Sequence, residues 1–224
     1  MFKPELASIQ FKHSRDLLGL GLQFFIAQVA AIVVFSTSNV VISQMLGPAE
    51  VTTYNIAFKY FSLVTFAFQI VLTPFWPAFT DAYVKNDKLW IRRSIKNLVF
   101  IWGILCLLCI AMLAMAGRVY SLWVGSAVVV PAGLSLSFAI YVCIGNWNNI
   151  FVCFNVGTSK LRLQVYLSLL AGIVNIPLTI IFIRLVGLPG DVIGMILAII
   201  PGTFLSPVQY NKIIKGTAKG IWNK

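Results

Sequence analysis

A chain of 224 residues that is 59% hydrophobic and 10% charged, with a mean hydropathy of +0.92, lies outside the range of water-soluble globular domains, so the bilayer is expected to be part of its solvent. A net charge of +11 would suggest nucleic acid in a soluble protein, but here the basic residues flank apolar runs and form no groove interleaved with aromatics, so no nucleic-acid partner is expected. The runs are too long and too weakly alternating for the strands of a membrane barrel, which leaves an all-α integral membrane bundle.

Crossing roughly 30 Å of hydrocarbon takes about 20 mostly apolar residues as helix. By that measure the chain is predicted to hold six transmembrane helices, at about 18–44, 52–79, 95–116, 131–155, 163–186 and 191–210. With both termini on one side, that side receives fourteen Lys and Arg residues, while the opposite loops carry two, Arg118 and Arg184. This asymmetry places both termini in the cytoplasm. Three segments follow: a connecting stretch over 1–17, a six-helix membrane lobe over 18–210 and a basic tail over 211–224. The first apolar run, some 27 residues long and containing polar side chains, is a span and not a cleaved signal peptide.

In the first span Gln28, Phe35 and Asn39 fall on one helical face, with Ser36 and Ser43 beside Asn39. Such a polar stripe either bonds to a neighbouring helix or lines a cavity. A tight Gly47-Pro48 turn leads into the second span, where Lys59, Phe66 and Thr73 align at heptad spacing. An ammonium in hydrocarbon costs on the order of 3 kcal/mol, so Lys59 is expected either to reach the outer interface or to face water or a partner inside the bundle. It is the first candidate for contact with an anionic substrate, with Gln69 a weaker one. Pro74 and Pro77 predict a kink or stop at the inner end of this helix.

Between the second and third spans Lys85, Lys88, Arg92 and Lys96 make a basic stripe and Val84, Ile91, Ile95 and Leu98 an apolar one, the pattern of a helix lying along the cytoplasmic interface among membrane lipids. Cys106 and Cys109 form a CxxC, but in a leucine-rich span and with His13 the sole histidine they read as packing, and no metal site or cofactor is expected. The fourth span carries Gly145 to Asn149 (GNWNN) and Asn155, with Asn148 and Asn155 on one face, open to helix-helix bonding or to cavity lining. In the fifth, Ser168, Asn175 and Thr179 share a face beside Pro177; the sixth holds Gly194, Pro201, Gly202 and Pro207, suited to close packing or bending.

The six acidic residues, among them Asp191, read as lying in or at the edges of loops. There is no paired-carboxylate site, no nucleophile with a base and no phosphate-binding glycine loop, so no enzyme is expected. Without an acid inside a span, a self-contained proton or sodium antiporter is also disfavoured.

Three segments carry a resemblance: FSTSNVVISQMLGPAEVTTYNIAFKYF from Phe35, TPFWPAFTDAYVKND from Thr73, and GTSK at Gly157 to Lys160. They resemble the Wzx-like oligosaccharide flippases of the multidrug/oligosaccharidyl-lipid/polysaccharide exporter superfamily. The resemblance extends over essentially the whole chain, but to the C-terminal lobe of a two-lobe exporter, so that Met1 would fall in the inter-lobe connection. It implies flipping of undecaprenyl-pyrophosphate-linked oligosaccharide across the bacterial inner membrane by alternating access of a cationic cavity, with a second six-helix lobe from a homodimer or a separate chain. Carried over by position, Lys59 and the face around Asn39 would line the cavity; where Asn39 stands, family members often carry an acid. A drug or small-cation exporter, a non-transporting scaffold for glycan-assembly enzymes and a truncated inactive fragment are the alternatives.

Overall fold

The computed structural model describes residues 21–22, 25, 29, 32, 36–125 and 128–223. Among them the structure is a helical bundle. We name its helices α1 (the described helical residues 36–45), α2 (Pro48–Leu72), α3 (Phe75–Val84), α4 (Lys88–Val124), α5 (Ala132–Gly157), α6 (Arg162–Val186) and α7 (Pro189–Ile214). Five stretches are long and apolar enough to span a membrane: α2 with α3, then α4, α5, α6 and α7. They match the predicted second to sixth spans; most of the predicted first span lies outside the described residues.

The chain turns at two ends. At one, which we call the far end, each described turn passes through a glycine with positive φ: Gly47 at 102°, Gly125 at 80° and Gly187 at 72°. A side chain there would be strained, and Pro48 and Pro189, each near the start of the following helix, fit positions where the backbone N–H has no helical partner. The other, the basic end, gathers Lys85, Lys88, Arg92, Lys160, Arg162, Lys212 and Lys215.

Helix α2 stops at Thr73, and the chain re-enters helix at Phe75 after Pro74, the break the prolines predict. The following segment differs from expectation. Lys88 to Val124 is one continuous helix of 37 residues, not an interfacial helix followed by a span. Asp87 caps it by accepting from the Trp90 backbone N–H at 2.9 Å, and no proline interrupts it. The apolar stripe Ile91, Ile95 and Leu98 is buried in protein, in a cluster with Phe79, Ile150, Phe154, Tyr210 and Ile213, so the lipid headgroups do not receive it. Val84 lies outside that cluster, 80% exposed.

The closest packing joins α6 to α7. A Cβ at Gly190 would collide with the backbone of Phe182 and Ile183, and one at Gly194 would lie 2.8 Å from the Thr179 nitrogen. Gly190, Gly194, Ala198 and Gly202 recur every four residues on one face of α7, and small residues at that spacing let helices approach without a hydrophobic driving force. Helix α7 runs unbroken through Pro201 and Pro207, as α6 does through Pro177.

Candidate functional site

Helices α2 and α5 leave a groove between them on the outside of the bundle. Residues at 62, 65, 66, 69 and 73 recur at helical spacing, so Ser62, Thr65, Phe66, Gln69 and Thr73 fall along one side of α2. Two depressions occupy the groove. One of about 300 Å³ is lined by Phe58, Ser62, Thr65, Phe66 and Gln69 of α2 with Phe138, Tyr141 and Val142 of α5. The next, of about 290 Å³, is lined by Gln69, Thr73 and Trp76 with Asn149, Val152 and Val156 among others. Gln69 borders both, and Trp76 also borders a broader depression of about 570 Å³ with Pro77, Thr80, Asp81 and Val84 at the basic end. The lining from Phe58 to Thr73 covers about 20 Å of helix, most of the depth of a hydrocarbon core. Amide, hydroxyl and aromatic groups alternate along it, a surface able to hydrogen-bond and stack on polar rings.

Lys59 follows Phe58 in sequence but is not among the residues lining either depression. It is exposed, and its carbonyl accepts the Ser62 hydroxyl at 2.8 Å. Gln69 is exposed at the middle of the groove. Asn39 sits elsewhere, half-buried between α1 and α2, where its Oδ1 accepts from Asn55 Nδ2 at 3.0 Å beside a shallow depression of about 430 Å³. Gln28 lies outside the described residues.

The other three asparagines face protein. Asn148 accepts the Ser206 hydroxyl of α7 at 2.9 Å and packs against Gly202. Asn155, fully buried, donates to Gln209 Oε1 of α7 at 3.0 Å. Asn175 is 2% exposed on α6. The amides of α5 therefore divide, with Asn148 and Asn155 toward α7 and Asn149, one position along, toward the groove. A helix turns about 100° per residue, so adjacent asparagines serve different neighbours. Tyr141 and Thr65 are groove residues that the sequence did not single out, and Asn149 was marked only as part of the GNWNN run. The signal that could have found them is the lining periodicity of α2 together with knowledge that α5 is its neighbour, and only the fold supplies the second part.

One acidic residue also departs from expectation. Asp191, read as a loop-edge residue, stands in the first turn of α7 and is 0% exposed, inside a membrane-spanning helix. The premise that no acid lies within a span fails, because the packing of α1, α2 and α6 around that turn closes it off from the solvent the loop-edge reading assumed.

At the basic end two of the three segments that carry the family resemblance, those at Thr73 and Gly157, meet. Thr80 donates its hydroxyl to the Gly157 carbonyl at 2.8 Å, and a Cβ on Gly157 would lie 2.9 Å from the Trp76 carbonyl oxygen. Phe79 packs edge-on to Phe154, centroids 5.5 Å apart. Gln209 donates to the Lys160 carbonyl at 3.2 Å and to that of Trp222 at 3.3 Å, and Lys160 Nζ donates to the Asn223 carbonyl at 2.9 Å. Lys212 Nζ lies 3.9 Å above the Trp222 ring, so the tail is docked against the bundle.

Comparison with known proteins fits this architecture. A family model described as polysaccharide biosynthesis protein matches residues 2–127, more than half of the chain. A "Putative O-antigen transporter" of Salmonella typhimurium is 25% identical over 177 residues, covering 78% of this chain and 41% of that one. A protein of the same description from Salmonella typhi is 30% identical over 42% of this chain and 21% of its own length. A "Putative O-antigen export protein" of Yersinia pseudotuberculosis is 27% identical over 65% of this chain and 34% of that one. The matches thus cover less than half of each of these relatives. No solved structure matches the chain. The quoted motifs, the all-helical membrane bundle and the family match together place the chain in the polysaccharide biosynthesis protein family, with the Wzx-like polysaccharide exporters.

Proposed function

We propose that the chain is a six-helix lobe of an O-antigen-type exporter, contributing one wall of a path by which a lipid-linked oligosaccharide crosses the bacterial inner membrane. The observation that carries this reading is the groove between α2 and α5. It runs along most of the membrane depth with amides and hydroxyls at Ser62, Thr65, Gln69, Thr73 and Asn149, interleaved with Phe58, Tyr141 and Trp76. Sugars offer hydroxyls to the first set and ring faces to the second, and the exposed Lys59, next to Phe58 in sequence, would offer a cation to a phosphate.

A single wall does not enclose a path. The reading therefore needs a second lobe, from another copy or a separate chain, to close the groove over the exposed face of α2 at Leu63, Phe66 and Ile70. Alternating access would then be a movement of one lobe against the other. The distribution of Lys and Arg supports both termini lying in the cytoplasm, so the basic end would receive the substrate and the far end release it.

The test is complementation in a strain whose surface O-antigen depends on this chain. Lys59→Ala and Gln69→Leu are expected to lower surface glycan about tenfold, the scale of one lost charge-assisted or amide hydrogen bond, with protein level unchanged. Wild-type glycan levels from both variants would remove the groove from the transport path.

A further inference from the structure

The first turns of α4 crowd like charges together. Lys88, Arg92 and Lys96 stand at i, i+4 and i+8 along one side of the helix, with Arg93 beside them, and all four are exposed. Cations at that spacing repel one another, and Lys88, in the first turn, also opposes the helix dipole. The acids that the described residues place at this end are held elsewhere: Asp81 pairs with Lys85 at 2.8 Å, and Asp87 caps α4 by accepting from the Trp90 backbone N–H. None of the four cations forms an ion pair among the described residues.

The same side of α4 continues into the membrane as an apolar strip. Arg93 and Lys96 lead at helical spacing to Phe100, Ile104 and Leu107, all exposed, while Ile91, Ile95 and Leu98 hold the opposite side against the bundle. Of the five spans α4 is the least covered by its neighbours, with 11% of its apolar stretch buried against 17–39% in the others, so lipid lies along it. From Lys96 to Leu107 is about 16 Å of helix, the hydrocarbon depth of one leaflet. A phosphate level with Arg93 and Lys96 lays its acyl chains along Phe100, Ile104 and Leu107, and guanidinium forks match its oxygens. We propose that this face of α4 binds one anionic phospholipid of the leaflet at the basic end, its phosphate held by Arg92, Arg93 and Lys96, with Lys88 further out. A zwitterionic headgroup brings its own ammonium and leaves the cluster uncompensated, so net negative charge is what the site selects. None of these residues lines the groove between α2 and α5, and the inference does not rest on that groove being a transport path.

The experiment uses the full chain in mixed micelles of a neutral detergent and lipid. The unfolding midpoint is followed by tryptophan fluorescence while phosphatidylglycerol replaces phosphatidylcholine at constant total lipid and ionic strength. A ligand that binds the folded state raises the midpoint once its concentration exceeds its dissociation constant. Phosphatidylglycerol is expected to give a saturating rise, and Arg93→Gln and Lys96→Gln each to move the half-maximal lipid content up about fivefold, the scale of one basic residue at an anionic surface. Lys215→Gln and Lys219→Gln, which remove exposed cations elsewhere at the same end, are expected to leave the curve in place. Equal midpoints in the two lipids overturn the proposal, and so does a shift from the Lys215 and Lys219 variants as large as that from Arg93 and Lys96, which makes the effect one of total charge. Inorganic pyrophosphate added to lipid-free micelles tests a soluble source of the phosphate: a rise of the same size, lost in Arg93→Gln, assigns the cluster to a soluble anion and overturns the lipid. Should Arg93→Gln or Lys96→Gln yield no folded protein, Arg92→Gln decides in its place, and superposition on the unaltered chain refutes the site.

Discussion

The two ends of the bundle differ in how far their buried polar groups bond to one another. At the basic end Asn155 donates to Gln209 and Gln209 donates to the carbonyls of Lys160 and Trp222, with Asn155 Oδ1 left unbonded. At the far end Ser38, Thr179 and Asp191 lie equally deep and bond to nothing. Both clusters tie several helices together, but only the first does so by direct hydrogen bonds. Direct hydrogen bonds between helices favour one arrangement of them.

This contrast can be broken by substitution. The largest effect is expected from Gly190→Val at the far end, where even a Cβ collides with the backbone of Phe182. Backbone cannot move aside as a side chain can, so loss of the folded, monodisperse species on size-exclusion chromatography is the expected result. Next comes Gln209→Leu at the basic end, which strands the Asn155 amide and two carbonyls. Chemical denaturation should show a loss of about 1–3 kcal/mol, and adding Asn155→Leu should restore part of it, because two apolar partners leave fewer buried groups unbonded.

The same kind of change should behave differently at the far end. Ser38→Ala removes a hydroxyl that makes no hydrogen bond, so stability should stay level or rise by up to about 1 kcal/mol. A loss as large as that of Gln209→Leu would erase the distinction between the ends. The smallest effect belongs to Lys85→Ala. Its 2.8 Å ion pair with Asp81 is two-thirds exposed on both sides, and such pairs contribute roughly 0–1 kcal/mol. A denaturation midpoint that barely moves is the expected outcome.

Much of the fold was legible in the chain, and the reason is the bilayer. A hydrocarbon layer imposes a length on each span and a penalty on each charge, so the α4 to α7 spans and the break at Pro74 can be read from composition alone. The rotation of each helix is set instead by its neighbours. Asn148 and Asn149 look alike in sequence, yet one meets Ser206 and the other lines the groove. Asp191 was illegible for a similar reason. Its local context, Leu188-Pro189-Gly190, reads as a turn, and its burial depends on Ser38 and Tyr54, more than 130 positions away. The basic stripe of Lys88, Arg92 and Lys96 read as surface-lying because nothing local reveals that Phe154 and Tyr210 cover its apolar partner.

The length of α4 carries a further consequence. At 1.5 Å per residue, its 37 residues reach about 55 Å, nearly twice the hydrocarbon thickness of roughly 30 Å. Lys88, Arg92, Arg93 and Lys96 occupy the surplus at one extremity, and Phe100, Ile104, Leu107 and Ile110 present exposed apolar side chains beyond them. Spans cut to the width of one bilayer must tilt or deform the lipid when that width changes. A rod with reserve length need do neither: a thinner or thicker membrane meets the same helix a turn higher or lower, and α4 can act as a fixed mast along which the lipid boundary rises and falls.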